Sequence, residues 1–408
     1  MKILHTGDWH LGKRLDNFSR IEEQREVLSE LCELADQQQA DVIVIAGDLF
    51  DNFNPAVEAV ELLYRTLRQL SKDGKRPVIA IAGNHDSADR IDAPDIIARE
   101  CGILFVGYPK AHIRPYAITS GFSITKAAPG FMEIQLPNFS YPLRVLHTAF
   151  ANELRLKQYL GLENKEQQLN ELLKAHWNEL ASQYCDDTGV NILTAHLYLL
   201  ERGGEIIEEP EGEKPIKIGN AELIFSDCIP EEIQYAALGH LHRYQQIRGH
   251  NAPVVYPSSP LAYSFSEAGQ QKGVVLVELF PQSKAEYTFL PLRSGRSLQR
   301  KRFQEIDEAI VWLKANPYTL VELTLVSDEF ISSADLKRIH EAHDGIIHII
   351  PVVRSQQSTN ANNKLINLEQ DLDLLFKDYF QFKYAQEPNA EIMDLLKEVI
   401  NNTTNTED

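Results

Sequence analysis

Five short segments carry side chains able to hold metal ions and move protons. They are Gly7-Asp8-Trp9-His10, Gly47-Asp48-Leu49-Phe50-Asp51, Gly83-Asn84-His85-Asp86, Ala195-His196 and Gly239-His240-Leu241-His242. Carboxylate, imidazole and amide carbonyl are borderline-to-hard donors suited to Mn²⁺, Fe²⁺ or Zn²⁺, and no cysteine takes part. In Asp-x-His and His-x-His, residues i and i+2 of an extended chain share one side, so both reach one ion or two neighbouring ions. A carboxylate such as Asp48 has two oxygens and can bridge two metals. Two ions about 3.5–4 Å apart can activate a water between them and clamp a phosphoryl group in line with its leaving oxygen. Each segment alone is a weak signal. Their order and shared context carry the argument.

That context is an apolar run before each segment. Residues 2–5, 41–46 and 77–82 read as strands, 41–46 being a continuous β-branched run of the kind covered on both faces. Residues 21–37 and 56–70 between them read as helices, with Val27, Leu28, Leu31 and Leu34 on one and Val57, Val60, Leu63, Leu67 and Leu70 on the other. Strand–helix alternation predicts a layered α/β fold, whose active site gathers at the carboxyl ends of the strands. Glycine there lets the chain turn sharply. Further along, 152–183 is mostly helical, 191–195 and 235–238 are buried strands, and 201–219 is an acidic exposed loop. Residues 254–256, 274–279 and 286–290 are expected to form a second sheet. A basic segment, 293–302, precedes a β–α–β–α–β-like stretch to Arg354. The polar linker 356–363 leads to two amphipathic helices, one striped by Leu365, Leu368, Leu372, Leu375, Phe376 and Tyr379, the other by Ile392, Leu395, Leu396 and Val399.

The ordered set resembles the calcineurin-like metallophosphoesterases, whose signature is D-x-H, G-D-x-x-D, G-N-H-(D/E), a later H, and G-H-x-H. Within them it is most similar to the SbcD family, the nuclease subunits of bacterial SbcCD complexes. KILHTGDWHLGK, VIVIAGDLFD, IAGNHDS, TAHLYL, YAALGHLHRYQ and YPSSPLAYSFSE carry that likeness. The resemblance implies a four-layer α-β-β-α metallophosphoesterase sandwich at 1–294, a small α+β capping domain at 295–355, and C-terminal helices at 364–408. By matching motif, Asp8, His10, Asp48 and His242 would hold one divalent ion. Asp48, Asn84, His196 and His240 would hold the other, with Mn²⁺ as the expected metal. His85 is the family's catalytic histidine, and Asp86 would orient it or cap a helix. Asp51 stands where some relatives have His, and Ser258 where the family usually has Gly, a departure that bears on the local loop shape.

The resemblance further implies a DNA exonuclease and endonuclease acting in break repair, recombination and replication. It would work as a homodimer within a heterotetramer, beside an SbcC-type coiled-coil ATPase bound through the C-terminal helices. The competing readings are a small-substrate phosphodiesterase, such as one for cyclic nucleotides, and a non-catalytic scaffold. The latter would have lost ligands, and all seven positions are filled. His5 is expected in the core and Trp9 packed beneath the site, while His112, His147, His176, His250, His340, His343 and His348 have no motif context. Lys13, Arg14, Arg293, Arg296, Arg300, Lys301 and Arg302 are candidates for DNA phosphates.

Bulk charge alone opposes a polyanionic substrate. The 408 residues hold 40 Lys+Arg against 59 Asp+Glu, a formal net charge of −19. Two divalent ions would add about +4 in the cleft where phosphate must sit, and much of the acid lies in the 201–219 loop and the tail. The composition therefore predicts weak DNA binding by this chain alone, with the grip supplied by metals, a local basic strip and a partner. Four dispersed cysteines without a C-x-x-C pair argue against a disulfide framework or zinc knuckle. No apolar stretch approaches the ~20 residues of a membrane span, so a cytoplasmic protein is expected.

Overall fold

The computed structural model describes residues 1–119, 121–160, 164–204, 223–327 and 331–353, with Phe376, Lys377, Phe380, Pro388 and Met393 beyond them. Met1–Leu325 with Ser332–Ile350 make one compact unit, and Val326–Ile331 with Pro351–Asp408 a second. The acidic loop from 205 on, the linker and almost all of the predicted tail helices lie outside the described residues.

Two sheets carry the site. The first runs Glu286–Pro291, Gly273–Glu278, Lys2–Thr6, Val42–Ile45, Val78–Ile81, Ile103–Val106. Its last four strands are parallel, joined in part through the helices Ile21–Gln37 and Val57–Ser71. The second runs Gln245–Ile247, Val254–Tyr256, Tyr235–Gly239, Val190–His196, Leu143–Thr148, Phe131–Gln135, Ser123–Ala128, Tyr116–Ala117. Four of its strands, from Val254–Tyr256 to Leu143–Thr148, are parallel. Residues 274–279 and 286–290 do not build this second sheet as expected. They pair antiparallel onto the first, Gly273–Glu278 lying beside Lys2–Thr6. An apolar run reveals a strand but not its neighbour, which is fixed by a connection far away in sequence.

Alternation of side chains explains the layering. On the second sheet Leu143, Val145, Ile192, Tyr235 and Ala237 join the same apolar cluster as the first sheet's Ile3, Ile43 and Ile79. Leu146, Leu193, Ala195, Ala236 and Leu238 point the other way. That outer face is covered by the helix Lys165–Tyr184 through Leu169, Leu173, Trp177 and Leu180, at helical spacing. The first sheet's outer face is covered by Leu28, Leu31, Leu63 and Leu67. The result is a four-layer α-β-β-α sandwich in which each fully buried Leu contributes about 1.5–3 kcal/mol. His5 lies in this core, fully buried, its ring nitrogens 2.9 Å from the Tyr235 hydroxyl and 3.1 Å from the Leu238 carbonyl, so it staples one sheet to the other.

A three-stranded sheet follows, Ser297–Phe303, Thr319–Ser327 and Ile346–Val353, with helices Ile306–Ala315 and Ser333–Ala342 between its strands. The basic segment is thus largely its first strand. Glutamates on one face of Ile21–Gln37 hold it: Glu30 accepts the backbone N–H groups of Arg293 and Ser294, Glu23 that of Arg296, and Glu26 the Tyr318 hydroxyl. All four cysteines are free thiols. Among the described residues no helix is long and apolar enough to cross a membrane.

Candidate metal centre

The five segments converge at the carboxyl ends of the parallel strands of both sheets. Asp8, His10, Asp48 and Asn84 come from the first sheet, His196, His240 and His242 from the second. The first two loops are zipped together by backbone bonds from Asp8 N to Gly47 O and from His10 N to Asp48 O, each 2.9 Å. Asp8 (φ 53°), His10 (φ 44°), Asp48 (φ 49°) and His240 (φ 115°) all sit in left-handed backbone. Such conformations cost roughly 1–3 kcal/mol each for non-glycine residues, so the surrounding fold must hold them. The sheets also meet closely here: a Cβ on Gly239 would overlap the Ala46 carbonyl oxygen, and one on Gly47 (φ 94°) would overlap the His196 ring.

Asp48 is central. Its Oδ1 accepts the His85 N–H at 2.8 Å, while its Oδ2 lies 3.4 Å from His10 Nε2 and 3.4 Å from His196 Nε2. On one side of it, His10 Nε2 and His242 Nε2 face each other at 3.0 Å. On the other, Asn84 Oδ1 lies 2.9 Å from His196 Nε2 and 3.1 Å from His240 Nδ1. Asp8 accepts the His240 N–H through Oδ1 at 2.9 Å. Its Oδ2 is buried without a hydrogen-bond partner. Donor atoms about 3 Å apart are spaced as ligands sharing an ion at about 2.1 Å. An orphaned buried carboxylate oxygen and two imidazoles nose to nose fit divalent cations better than they fit each other. The side chains able to share an ion group as Asp8, His10, His242, as Asp8, Asp48, His196, and as His10, Asp51, His85. The cations such a set holds would supply Lewis acidity and an activated water.

The electrostatics agree. Burial pushes the Asp8 carboxyl up to about 6 and the His10 imidazole down to about 4. Burial would also raise Asp48, but His196, His85 and His10 around it hold it well below the usual carboxylate range. Burial opposes charge on His196 too, yet Asp48 beside it lifts its pKa to about 9. Asp48 is therefore an anion at neutral pH, ready for a cation.

His85 lies over this set, its ring 4.7 Å from that of His10. Asp86 does not serve as its orienter. The Asp86 carboxylate accepts the backbone N–H groups of Leu49 (3.0 Å), Phe50 (2.9 Å) and Gly83 (2.8 Å), tying the second and third loops together. Nor does it cap the following helix, whose N-cap is Ser87. Trp9 packs beneath the site, 1% exposed, its Nε1 donating to Thr6 Oγ1 at 3.0 Å. Ser258 adopts the left-handed conformation (φ 88°) that its position demands, and its Oγ accepts the Gly273 N–H at 3.0 Å.

Several residues of the site escape sequence reasoning. Glu267 is fully buried, with Oε1 3.7 Å from His242 Nδ1, and it pairs with buried Lys272. Lys272 Nζ also donates to the His242 carbonyl at 2.7 Å and to Ser259 Oγ at 3.0 Å. Gln24 donates to the His10 carbonyl at 2.8 Å. Ser264 and Glu267 form a capping box at the start of the short helix Phe265–Glu267. Of the basic residues, Lys13 pairs with Asp51 at 3.3 Å and Arg14 with the Asn17 carbonyl. Arg296 bonds Asp344 twice at 3.1 Å, Arg300 pairs with Glu322 at 2.9 Å, and Lys301 lies over Trp312.

A family model described as calcineurin-like phosphoesterase matches residues 1–244. The chain is 33% identical over 401 residues to a Bacillus subtilis (strain 168) protein whose name makes it the SbcD component of the nuclease SbcCD, covering 97% of this chain and 95% of that one. It is 32% identical over 351 residues to the Staphylococcus epidermidis protein of the same name, covering 83% of each. A solved dimetal phosphatase from Danio rerio aligns with 70% of this chain and 98% of its own at 11% identity and a TM-score of 0.37.

Proposed function

The chain belongs to the calcineurin-like phosphoesterases and, within them, to the SbcD family, and from that premise we propose that it is the metal-dependent nuclease subunit of an SbcCD-type complex. Its substrate is DNA, cut as a double-strand exonuclease and as a single-strand or hairpin endonuclease in break repair and recombination. Its seven ligands, Asp8, His10, Asp48, Asn84, His196, His240 and His242, take up two divalent ions, for which we propose Mn²⁺. The observation that best supports this reading is Asp48 Oδ2, equidistant at 3.4 Å from an imidazole of each half of the set. A carboxylate so placed serves two ions at once.

The protein's own groups do the rest. His85, held at both its backbone N–H and its Nδ1, presents Nε2 toward the scissile phosphate; as an imidazolium it hands the Nε2 proton to the leaving oxygen and returns to the neutral Nδ1–H form. Asp86 fixes the loops that carry His85 and Asp48. Residues 295–355 form the cap that places DNA, and the segment 364–408 binds a coiled-coil ATPase, its acidic, apolar-striped sequence suiting a protein better than a polyanion. The working unit is a homodimer with two such ATPase chains.

The test is purified protein with Mn²⁺ on labelled duplex DNA, hairpin DNA and a small phosphodiester. Cleavage of both DNAs, abolished in His85→Ala with the metals retained, is the expected result. Hydrolysis of the small ester alone would sink the nuclease reading. Co-purification with a large coiled-coil ATPase, lost on deleting 364–408, tests the partner, and its persistence would refute the assignment of that segment.

A further inference from the structure

Between the strand Leu143–Thr148 and the helix Lys165–Tyr184 the chain crosses from the second sheet to the first. Phe150 N donates to the Ala82 carbonyl at 2.9 Å. A four-residue helix, Glu153–Leu156, follows, capped by Asn152, whose side chain accepts the Arg155 N–H at 2.9 Å. The Arg155 guanidinium lies 5.2 Å from the centre of the Phe150 ring and reaches into the loop after Ala82. Nη1 donates to the Gly83 carbonyl at 2.8 Å, Nη2 to the Asp86 carbonyl at 2.5 Å.

Those two carbonyls bracket the dipeptide Asn84-His85. Gly83 is gripped from the other end as well, its N–H donating to the Asp86 carboxylate. The loop is thus held by the buried Asp86 carboxylate on one side and, on the other, by a cation from the short helix Glu153–Leu156. Neither flanking peptide can rotate without leaving the fork. Only a planar guanidinium spans two carbonyls three residues apart, since a lysine ammonium is a point donor.

We propose that Arg155 is a positioning residue for the reaction: by bridging the carbonyls of Gly83 and Asp86 it sets Asn84 into the metal-binding group and His85 toward the phosphate. This rests on the proposed hydrolytic function. It adds a residue that no motif contains and that acts through Asn84 and His85. A misplacement of about 1 Å at a reacting group can cost about 100-fold in rate, and loss of a group that orients a ligand weakens metal binding by about 10–100-fold.

The test compares wild type, Arg155→Ala and Arg155→Lys as full chains. Mn²⁺ affinity is measured by calorimetry and turnover with bis(4-nitrophenyl) phosphate, which needs no DNA-binding surface. Arg155→Ala is expected to bind one of two ions about tenfold or more weakly. Its kcat should fall about 100-fold with KM within about threefold, and millimolar guanidinium chloride, but not sodium chloride, should restore part of it. Arg155→Lys, which keeps the charge, should fold with a wild-type melting temperature yet share both defects. Wild-type affinity for both ions in either folded variant overturns the proposal, as does loss of turnover that guanidinium does not relieve. A wild type inert toward the diester and DNA would refute the hydrolytic reading itself, while the affinity comparison still decides the role of Arg155.

Discussion

The Nδ1 atom of His85 lies 2.7 Å from the backbone carbonyl oxygen of Asp51. A carbonyl only accepts, so Nδ1 carries hydrogen and Nε2 is the nitrogen left to face a substrate. The orienter of the His85 imidazole is therefore main chain. His85→Ala is expected to lower turnover by about 10²–10⁴-fold with metal content unchanged, since His85 is not among the seven proposed ligands. Asp51→Asn keeps the carbonyl and should cost less than about tenfold. A loss in Asp51→Asn as deep as in His85→Ala, with metal content unchanged, would shift the essential role to the Asp51 side chain.

Asp48 ties the two halves of the metal set, so Asp48→Ala should abolish binding of both ions, whereas His242→Ala should leave one. Elemental analysis after dialysis distinguishes them. Chelation of the wild-type protein should lower its melting temperature and added Mn²⁺ restore it, because an ion present at about 100 times its Kd stabilises by about 2.7 kcal/mol. Equal melting temperatures with and without chelator would contradict a tightly held ion.

Glu267 and Lys272 form a buried ion pair beneath His242. Burial alone would raise the Glu267 carboxyl, but the Lys272 ammonium beside it holds it far below the usual range. Lys272→Met leaves that carboxylate uncompensated and should destabilise by about 3–5 kcal/mol in urea unfolding. The double variant Glu267→Gln, Lys272→Met should recover part of this. If the double variant is as unstable as the single, the cost lies in lost packing instead of stranded charge.

The site's chemistry was more legible than its support. Asp8, His10, Asp48, Asn84, His196, His240 and His242 announce themselves because ligand type, glycine turns and preceding strands lie within a few residues of one another. Helix Ile21–Gln37 likewise follows from local periodicity. Arg155, Glu267 and Lys272 reach the site from segments whose local pattern serves another purpose, a helix turn or a capping box, and only long-range packing brings them in. The same limit misassigned the strands Gly273–Glu278 and Glu286–Pro291 and pointed to Asp86 for the task the Asp51 carbonyl performs. Adjacency in sequence suggested a side-chain contact that the turn geometry directs elsewhere.

Acid should destabilise the fold through histidines outside the metal set. His147 is fully buried with neither ring nitrogen hydrogen-bonded, and burial pushes its pKa down to about 3. Burial does the same to His5, also to about 3. The unfolded chain, with imidazoles near 6.5, binds these protons first. Between about pH 6.5 and 3 the unfolded state therefore holds about one more proton per histidine, and each lowers stability by about 1.4 kcal/mol per pH unit as pH falls. Above pH 6.5 neither contributes a slope. His147→Leu removes one of these protons and a buried N–H without a partner. Its stability at pH 7 should match or exceed wild type by about 1–2 kcal/mol, and its advantage should grow by about 2 kcal/mol on going to pH 5. Urea unfolding of both proteins at the two pH values measures this, and the metal ligands, common to both, cancel in the difference. An advantage that does not grow with acid would mean that His147 is protonated in the folded protein.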